Sequence, residues 1–202
     1  MQPIRAMELD DLSSVVKVHL ESFPGFFLSF LGAAFLSELY SSIVQDPFGI
    51  GYVCLVEGEM VGFVAGTAQA DGFYRRMIRK WWRFMFASIP RVVQHPRIIP
   101  RLFRAVLIPQ RTNARNDAAL LMSIAVKPQC QGGGVGKQLV KVFLNDAHAR
   151  GLRTVELTTD QTNNDYANSF YQRLGFEIIN SYITPEGRRM NEYEIVVDGM
   201  VE

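Results

Sequence analysis

One stretch constrains the fold of this 202-residue chain more than any other: Ser123-Ile-Ala-Val-Lys-Pro-Gln-Cys-Gln-Gly-Gly-Gly-Val-Gly-Lys137. The apolar run Ala118–Val126 predicts a buried strand, and glycines at 132, 133, 134 and 136 predict a tight turn. A helical pattern then begins at once and runs from Gly136 to about Arg150, where Gly151 stops it. A buried strand turning directly into a helix is a unit of α/β architecture. Glycine lets backbone approach a ligand closely, and the unpaired N–H groups at a helix start attract phosphate, so the pattern points to a pyrophosphate site. Two common phosphate patterns fail. G-x-x-x-x-G-K-[ST] would need glycine at 131 and Ser or Thr at 138, where the chain has Gln131 and Gln138. G-x-G-x-x-G would need its third glycine at Lys137.

The other elements follow from periodicity and punctuation. Residues 3–6 read as a short strand, and Asp10 and Asp11 supply an N-cap for a helix carrying Leu12, Val15, Val16 and His19. A second helix is expected from Phe26 or Phe27 to Val44, ended by Asp46-Pro47. Gly51–Val56 and Met60–Gln69 form a hairpin around Glu57-Gly58-Glu59. Beyond the glycine-rich turn come a strand at 154–159, a helix at 164–174 and strands at 176–183 and 190–197. The expectation is one domain over 1–202, with a mixed twisted sheet flanked by helices. Cys54 and Cys130 are far apart and no Cys/His cluster has zinc spacing, so neither a disulfide framework nor a bound metal is expected; Cys130 is incidental to the loop beside it. The longest uncharged run, Ser22–Ser37, has 16 residues, short of the roughly 20 that span a bilayer. The N-terminus lacks a signal-peptide layout, so a cytoplasmic location is expected.

What does fit is Gln131-x-x-Gly134-x-Gly136 after a strand ending Ile-Ala-Val-x-Pro. Here the chain resembles the GNAT superfamily of N-acetyltransferases, whose pyrophosphate loop has the form [QR]-x-x-G-x-[GA]. A second block, Asn164-x-x-Ala167-x-x-Phe170-Tyr171-x-x-x-Gly175-Phe176, is similar to the family's other half-site. The resemblance covers about 118–197 well and 3–69 by element order. It implies a GNAT-type fold and acetyl-CoA as acyl donor. It also implies roles. Backbone groups of Ile124, Ala125 and Val126 would hold the pantetheine arm, and a bulge in that strand would aim an N–H at the thioester carbonyl. Gln131, Gly132, Gly133, Gly134, Val135, Gly136 and Lys137 would cradle the pyrophosphate. Asn164 would bond the pantetheine, and Tyr171 would be the general acid for the departing thiolate. A phenol with pKa about 10 suits a thiol near 8.5. Phe170 is read as packing. The implied reaction is direct acetyl transfer to a primary amine. A non-catalytic acyl-CoA-binding module, transfer to an alcohol and use of a longer acyl chain remain alternatives.

An amine acceptor needs a base, and the strand 118–126 carries no carboxylate. His19, Glu21, Ser123 and Asp160 are candidates by element position. His95 and His148 read as surface histidines.

The net charge of +1 conceals an asymmetry. Between Gly72 and Asn116 lie eleven of the 21 basic residues and none of the 20 acidic ones. This segment, between the third and fourth strands, reads as a basic helical insertion. Over 73–88 the cations Arg75, Arg76, Arg79, Lys80 and Arg83 occupy one side of a helical wheel, and Phe73, Tyr74, Met77, Ile78, Trp81, Trp82, Phe84 and Met85 the other; a second helix is expected near 97–107. Three uses compete: a lid packed on its own core, a peripheral contact with a membrane surface or lipid-linked substrate, and a site for an anionic acceptor such as a nucleotide-linked amino sugar, or for a partner protein. Nucleic acid is disfavoured, because the aromatics lie opposite the charges.

Overall fold

The computed structural model describes residues 3–79, Phe84 and 117–197. Strand β1 (Ile4–Ala6) leads through a 3-10 turn into α1 (Leu12–Ser22), followed by α2 (Phe27–Leu31) and α3 (Ala33–Val44). The hairpin β2 (Gly49–Val56) and β3 (Glu59–Thr67) precedes α4 (Ala70–Arg79). Then come β4 (Ala118–Val126), α5 (Val135–Ala149), β5 (Thr154–Asp160), α6 (Asp165–Arg173), β6 (Glu177–Ile183) and β7 (Arg189–Val196). The strands form one mixed sheet in the order β1-β2-β3-β4-β5-β7-β6. The expected α/β class and order of elements are those observed.

Every neighbouring pair is antiparallel except β4 and β5. That parallel pair is short: only Ala118–Leu120 faces Thr154–Glu156. Past this point β4 stays with β3 and β5 stays with β7, so the sheet splits into two arms with a gap between them. Helix α5 covers one face, burying Leu139, Val140, Phe143, Leu144 and Ala147 at helical spacing. Helices α1 and α3 cover the other, burying Val15, Val16, Val18, Leu36, Leu39, Tyr40 and Ile43.

Two local expectations are corrected. The single helix from Phe26 or Phe27 to Val44 is two helices, because Gly32 at φ +91° ends α2 and begins α3, a conformation costly for residues with a Cβ. Asp11 precedes α1 but makes no side-chain cap to it. Its carboxylate accepts instead from the Glu8 N–H at 2.9 Å and pairs with the Arg5 guanidinium at 2.6 and 2.7 Å.

Of the basic insertion, α4 and Phe84 are described; Lys80–Arg83, residues 85–116 and the expected second helix lie outside the described residues. Phe73, Met77 and Phe84 are buried in the α1–α3 core, with the Phe84 ring 5.3 Å from that of Phe35. Arg76 pairs with Asp46 and lies over the Phe48 ring. These three apolar residues of the amphipathic pattern therefore pack on the chain's own core. Among the described residues, no helix is long and apolar enough to cross a membrane.

Candidate active site

Where β4 leaves β5, its backbone groups divide by the period of a strand. The Lys127 N–H bonds the Val61 carbonyl at 2.8 Å, so the alternation of the antiparallel ladder turns Ala125 and Ser123 toward β3 and Ile124 and Val126 toward the gap. The Val126 carbonyl accepts from Ser22 Oγ and from Gln131 Nε2, both at 3.2 Å. Of the three residues expected to offer backbone groups, Ile124 and Val126 face the gap, while Ala125 is buried and engaged with Phe63. A register shift opposite Ala65 and Gly66 leaves Met122 as an extra residue on β4. The expected bulge is thus present, one residue before Ser123.

The loop leaves β4 through a 3-10 turn at Pro128–Cys130 and reaches α5 with Gln131, Gly132, Gly133 and Gly134 all exposed. Gly132 and Gly134 both have φ +81°. Gly134 is the N-cap of α5 and contributes no side-chain cap, and the Gln138 N–H returns to its carbonyl at 3.1 Å. The N–H groups of Val135, Gly136 and Lys137 therefore precede the first intrahelical bond. Val135 itself is buried, and Lys137 is exposed in the first turn. An open cradle of backbone N–H groups at the positive end of a helix, with a lysine beside it, suits a pyrophosphate.

Helix α6 brings the second block to the same place. A Cβ at Gly136 would lie 3.3 Å from the tip of Phe170 and 3.8 Å from Val126 Cγ2. Phe170 thus packs against the start of α5, which is the packing role expected of it. Tyr171 is buried, its ring 5.3 Å from Phe170, 5.7 Å from Phe176 and 5.8 Å from Tyr193. Burial first, and then the neighbouring Tyr193, push its phenol above the usual range, and its hydroxyl has no hydrogen-bond partner among the described residues. Asn164 caps the far arm: its Nδ2 donates to Thr159 Oγ1 at 2.7 Å and to the Asp160 carbonyl at 3.3 Å.

Sequence reasoning missed the groups that hold this arm. Asn168 Nδ2 donates to the Asp160 and Asn164 carbonyls, while its Oδ1 accepts from Tyr193 Oη at 2.8 Å and Asn191 Nδ2 at 3.1 Å. Asn168 lies within the second block, but the two donors to its Oδ1 are 23 and 25 residues away.

The four candidate bases separate. Asp160 is held by both arms of Arg188, at 2.6 and 2.9 Å. Glu21 is exposed on α1. His19 and Ser123 are brought together by a residue that spacing did not single out: Tyr40 Oη lies 2.6 Å from His19 Nδ1 and 3.0 Å from Ser123 Oγ. His148 is in the last turn of α5, and His95 lies outside the described residues. Among the described residues no cluster of His, Cys, Asp and Glu could hold a metal ion.

The family model described as Acetyltransferase (GNAT) family matches residues 13–176. A [Ribosomal protein bS18]-alanine N-acetyltransferase of Haemophilus ducreyi is 37% identical over 79 residues, 37% of this chain and 54% of that protein. The chain thus matches about half the length of this curated relative. Among solved structures, the ribosomal-protein-S18-alanine N-acetyltransferase of Escherichia coli superposes with TM-score 0.61 at 18% identity, covering 100% of this chain and 97% of that one. An aminoglycoside 6'-N-acetyltransferase complexed with coenzyme A gives TM-score 0.62 at 13% identity, covering 99% of both chains. At those identities the likeness is one of fold.

Proposed function

Because the chain belongs to the acetyltransferase (GNAT) family, we propose that it transfers an acetyl group from acetyl-CoA to a primary amine by direct attack, with Tyr171 as general acid. The observation that carries the reading is the meeting of the two sequence blocks, Phe170 and Val126 both close to Gly136, at the mouth of the gap between β4 and β5.

In this reading the pyrophosphate lies on the N–H groups from Gly132 to Lys137, and the pantetheine arm runs into the gap as an added strand on the free edge of β4. Ile124 and Val126 face it from one arm and Asn164 from the other. The thioester carbonyl lies near the Met122 bulge, where an N–H turned out of the ladder stabilises charge developing on oxygen. The amine nitrogen attacks, a tetrahedral intermediate forms, and the carbon–sulfur bond breaks. No acyl-enzyme is needed. Tyr171 keeps its proton at neutral pH because burial raises its pKa. The same burial raises the proton affinity of the nearby thiolate, so the transfer from phenol to sulfur is not made harder by the site.

Calorimetric titration with acetyl-CoA, with ATP and NAD as controls, tests the donor. Micromolar binding of acetyl-CoA alone is expected, and no binding refutes the reading. An acceptor screen then follows CoA release, beginning with peptides that start with alanine, the amine named for the Haemophilus ducreyi relative, and with amino sugars.

A further inference from the structure

A hydrogen-bonded chain runs from the edge of the gap into the core and ends at a nitrogen with no partner among the described residues. Ser123, half-buried on β4 one residue past the bulge, is 3.0 Å from Tyr40 Oη. Tyr40, fully buried on α3, is 2.6 Å from Nδ1 of His19 on α1. His19 is 3% exposed, and its Nε2 is buried without a partner among the described residues. The walls are aromatic: Phe23 lies 4.8 Å from the imidazole, and Phe63 lies 5.1 Å from the Tyr40 ring. A network serving only to tie α1, α3 and β4 together would gain by satisfying Nε2 as well.

We infer that Ser123, Tyr40 and His19 form the path that takes up the proton shed by the acceptor amine. This rests on the transferase reading above. In the ready state Ser123 donates to Tyr40, Tyr40 donates to His19 Nδ1, and the imidazole proton sits on Nε2. The lone pairs of Ser123 Oγ are then open to the incoming amine. As the carbon–nitrogen bond forms, the nitrogen becomes acidic. Its N–H bond breaks and its proton passes to Ser123 Oγ, the Ser123 proton to Tyr40 Oη, and the Tyr40 proton to Nδ1. Both hydroxyls are left whole and the imidazole becomes imidazolium. Tyr171 gives its proton to sulfur, and the proton stored on His19 returns along the chain and through solvent to restore Tyr171 as the products leave. Ser123 touches the substrate and is the catalytic residue of the three; Tyr40 and His19 act through it as positioning residues.

The surroundings suit these parts. Burial alone holds the His19 imidazole down to about 4, so at neutral pH it rests uncharged with a lone pair free, and a proton that reaches it is held only in passing before it returns along the chain. Burial raises Tyr40 while the Ser123 hydrogen bond pulls the other way, so the phenol stays protonated as a carrier. Among the described residues no charged group contributes to either shift.

The first test needs no acceptor. Imidazole 15N NMR of the full chain is expected to show His19 Nδ1 unprotonated and Nε2 carrying the proton; a protonated Nδ1 overturns the path. The second compares Tyr40→Phe and Ser123→Ala, alone and together, with the alanine-initiated peptide or amino sugar that the wild-type protein acetylates. Each single change should lower kcat at least tenfold at unchanged KM for acetyl-CoA, and the double change should cost no more than either single one. The low-pH limb of kcat should move upward, and Ser123→Thr should restore turnover. If Tyr40→Phe fails to fold, the Ser123 pair decides alone. Turnover within threefold of wild type in a folded Ser123→Ala protein overturns the path and leaves the transferase reading standing. Absence of acetyl-CoA binding removes that reading and the path with it.

Discussion

The burial of His19 sets a stability that depends on pH, and its size follows from the structure. In the folded chain the imidazole titrates at about 4, against 6.5 when unburied, and desolvation is the cause. The unfolded chain therefore binds a proton that the native chain refuses throughout the window from 6.5 down to 4, so stability falls as the pH is lowered through it. At pH 7.5 the group contributes almost nothing to the difference. At pH 5 the linkage costs the native state about 2 kcal/mol. Asp11 does not enter: its carboxyl is held below the usual 3.8 chiefly by the Arg5 hydrogen bond, so the stability it confers is present above 3.8 and is lost only at lower pH. The assay is urea unfolding at pH 7.5 and pH 5, for the wild-type chain and for His19→Gln, which cannot titrate. The wild-type chain should lose about 2 kcal/mol more than the variant between the two pH values. If both lose the same amount, His19 is not a buried neutral imidazole, and the aromatic enclosure described for it is wrong.

Four further outcomes follow from the site. Tyr171→Phe keeps the ring packed on Phe170, Phe176 and Tyr193, so steady-state kinetics should show kcat at least tenfold lower with acetyl-CoA affinity within threefold of wild type; unchanged turnover removes the acid role. Gly134→Ala places a Cβ in open space but at φ +81°, a conformational cost of about 1–2 kcal/mol, and calorimetry should show roughly tenfold weaker acetyl-CoA binding. Gly136→Ala, which meets the edge of Phe170 and, at ordinary contact distance, Val126, should bind within about threefold of wild type, about 0.7 kcal/mol. Asn168→Ala leaves the Tyr193 hydroxyl and Asn191 amide without their acceptor, and thermal unfolding should report a loss of about 2–4 kcal/mol.

The fold and the meeting of the two sequence blocks were legible because they are written locally. Val126, Gly134, Gly136 and Phe170 each do their work within a turn or a strand of the motif that announces them, and a strand–turn–helix with positive-φ glycines admits few structures. The split of α2 from α3 was missed for a related reason. A single glycine inside an apolar helical pattern is tolerated in many helices, and nothing near Gly32 in sequence shows that the chain turns there. The proposed acceptor half is written at long range. Tyr40 reads as one more core residue on a helix face beside Leu36, Leu39 and Ile43; only the packing of α3 across β4 brings its hydroxyl between residues 21 and 83 positions away. Asn168 is the same case on the other arm. The division has a physical cause. The proposed donor site rests on backbone groups, which local conformation can present, whereas the proposed proton path takes side chains from three elements that only the tertiary fold assembles. The donor motif therefore reads directly from the chain, while the partner of a candidate such as His19 or Ser123 is found from the packing of α1, α3 and β4.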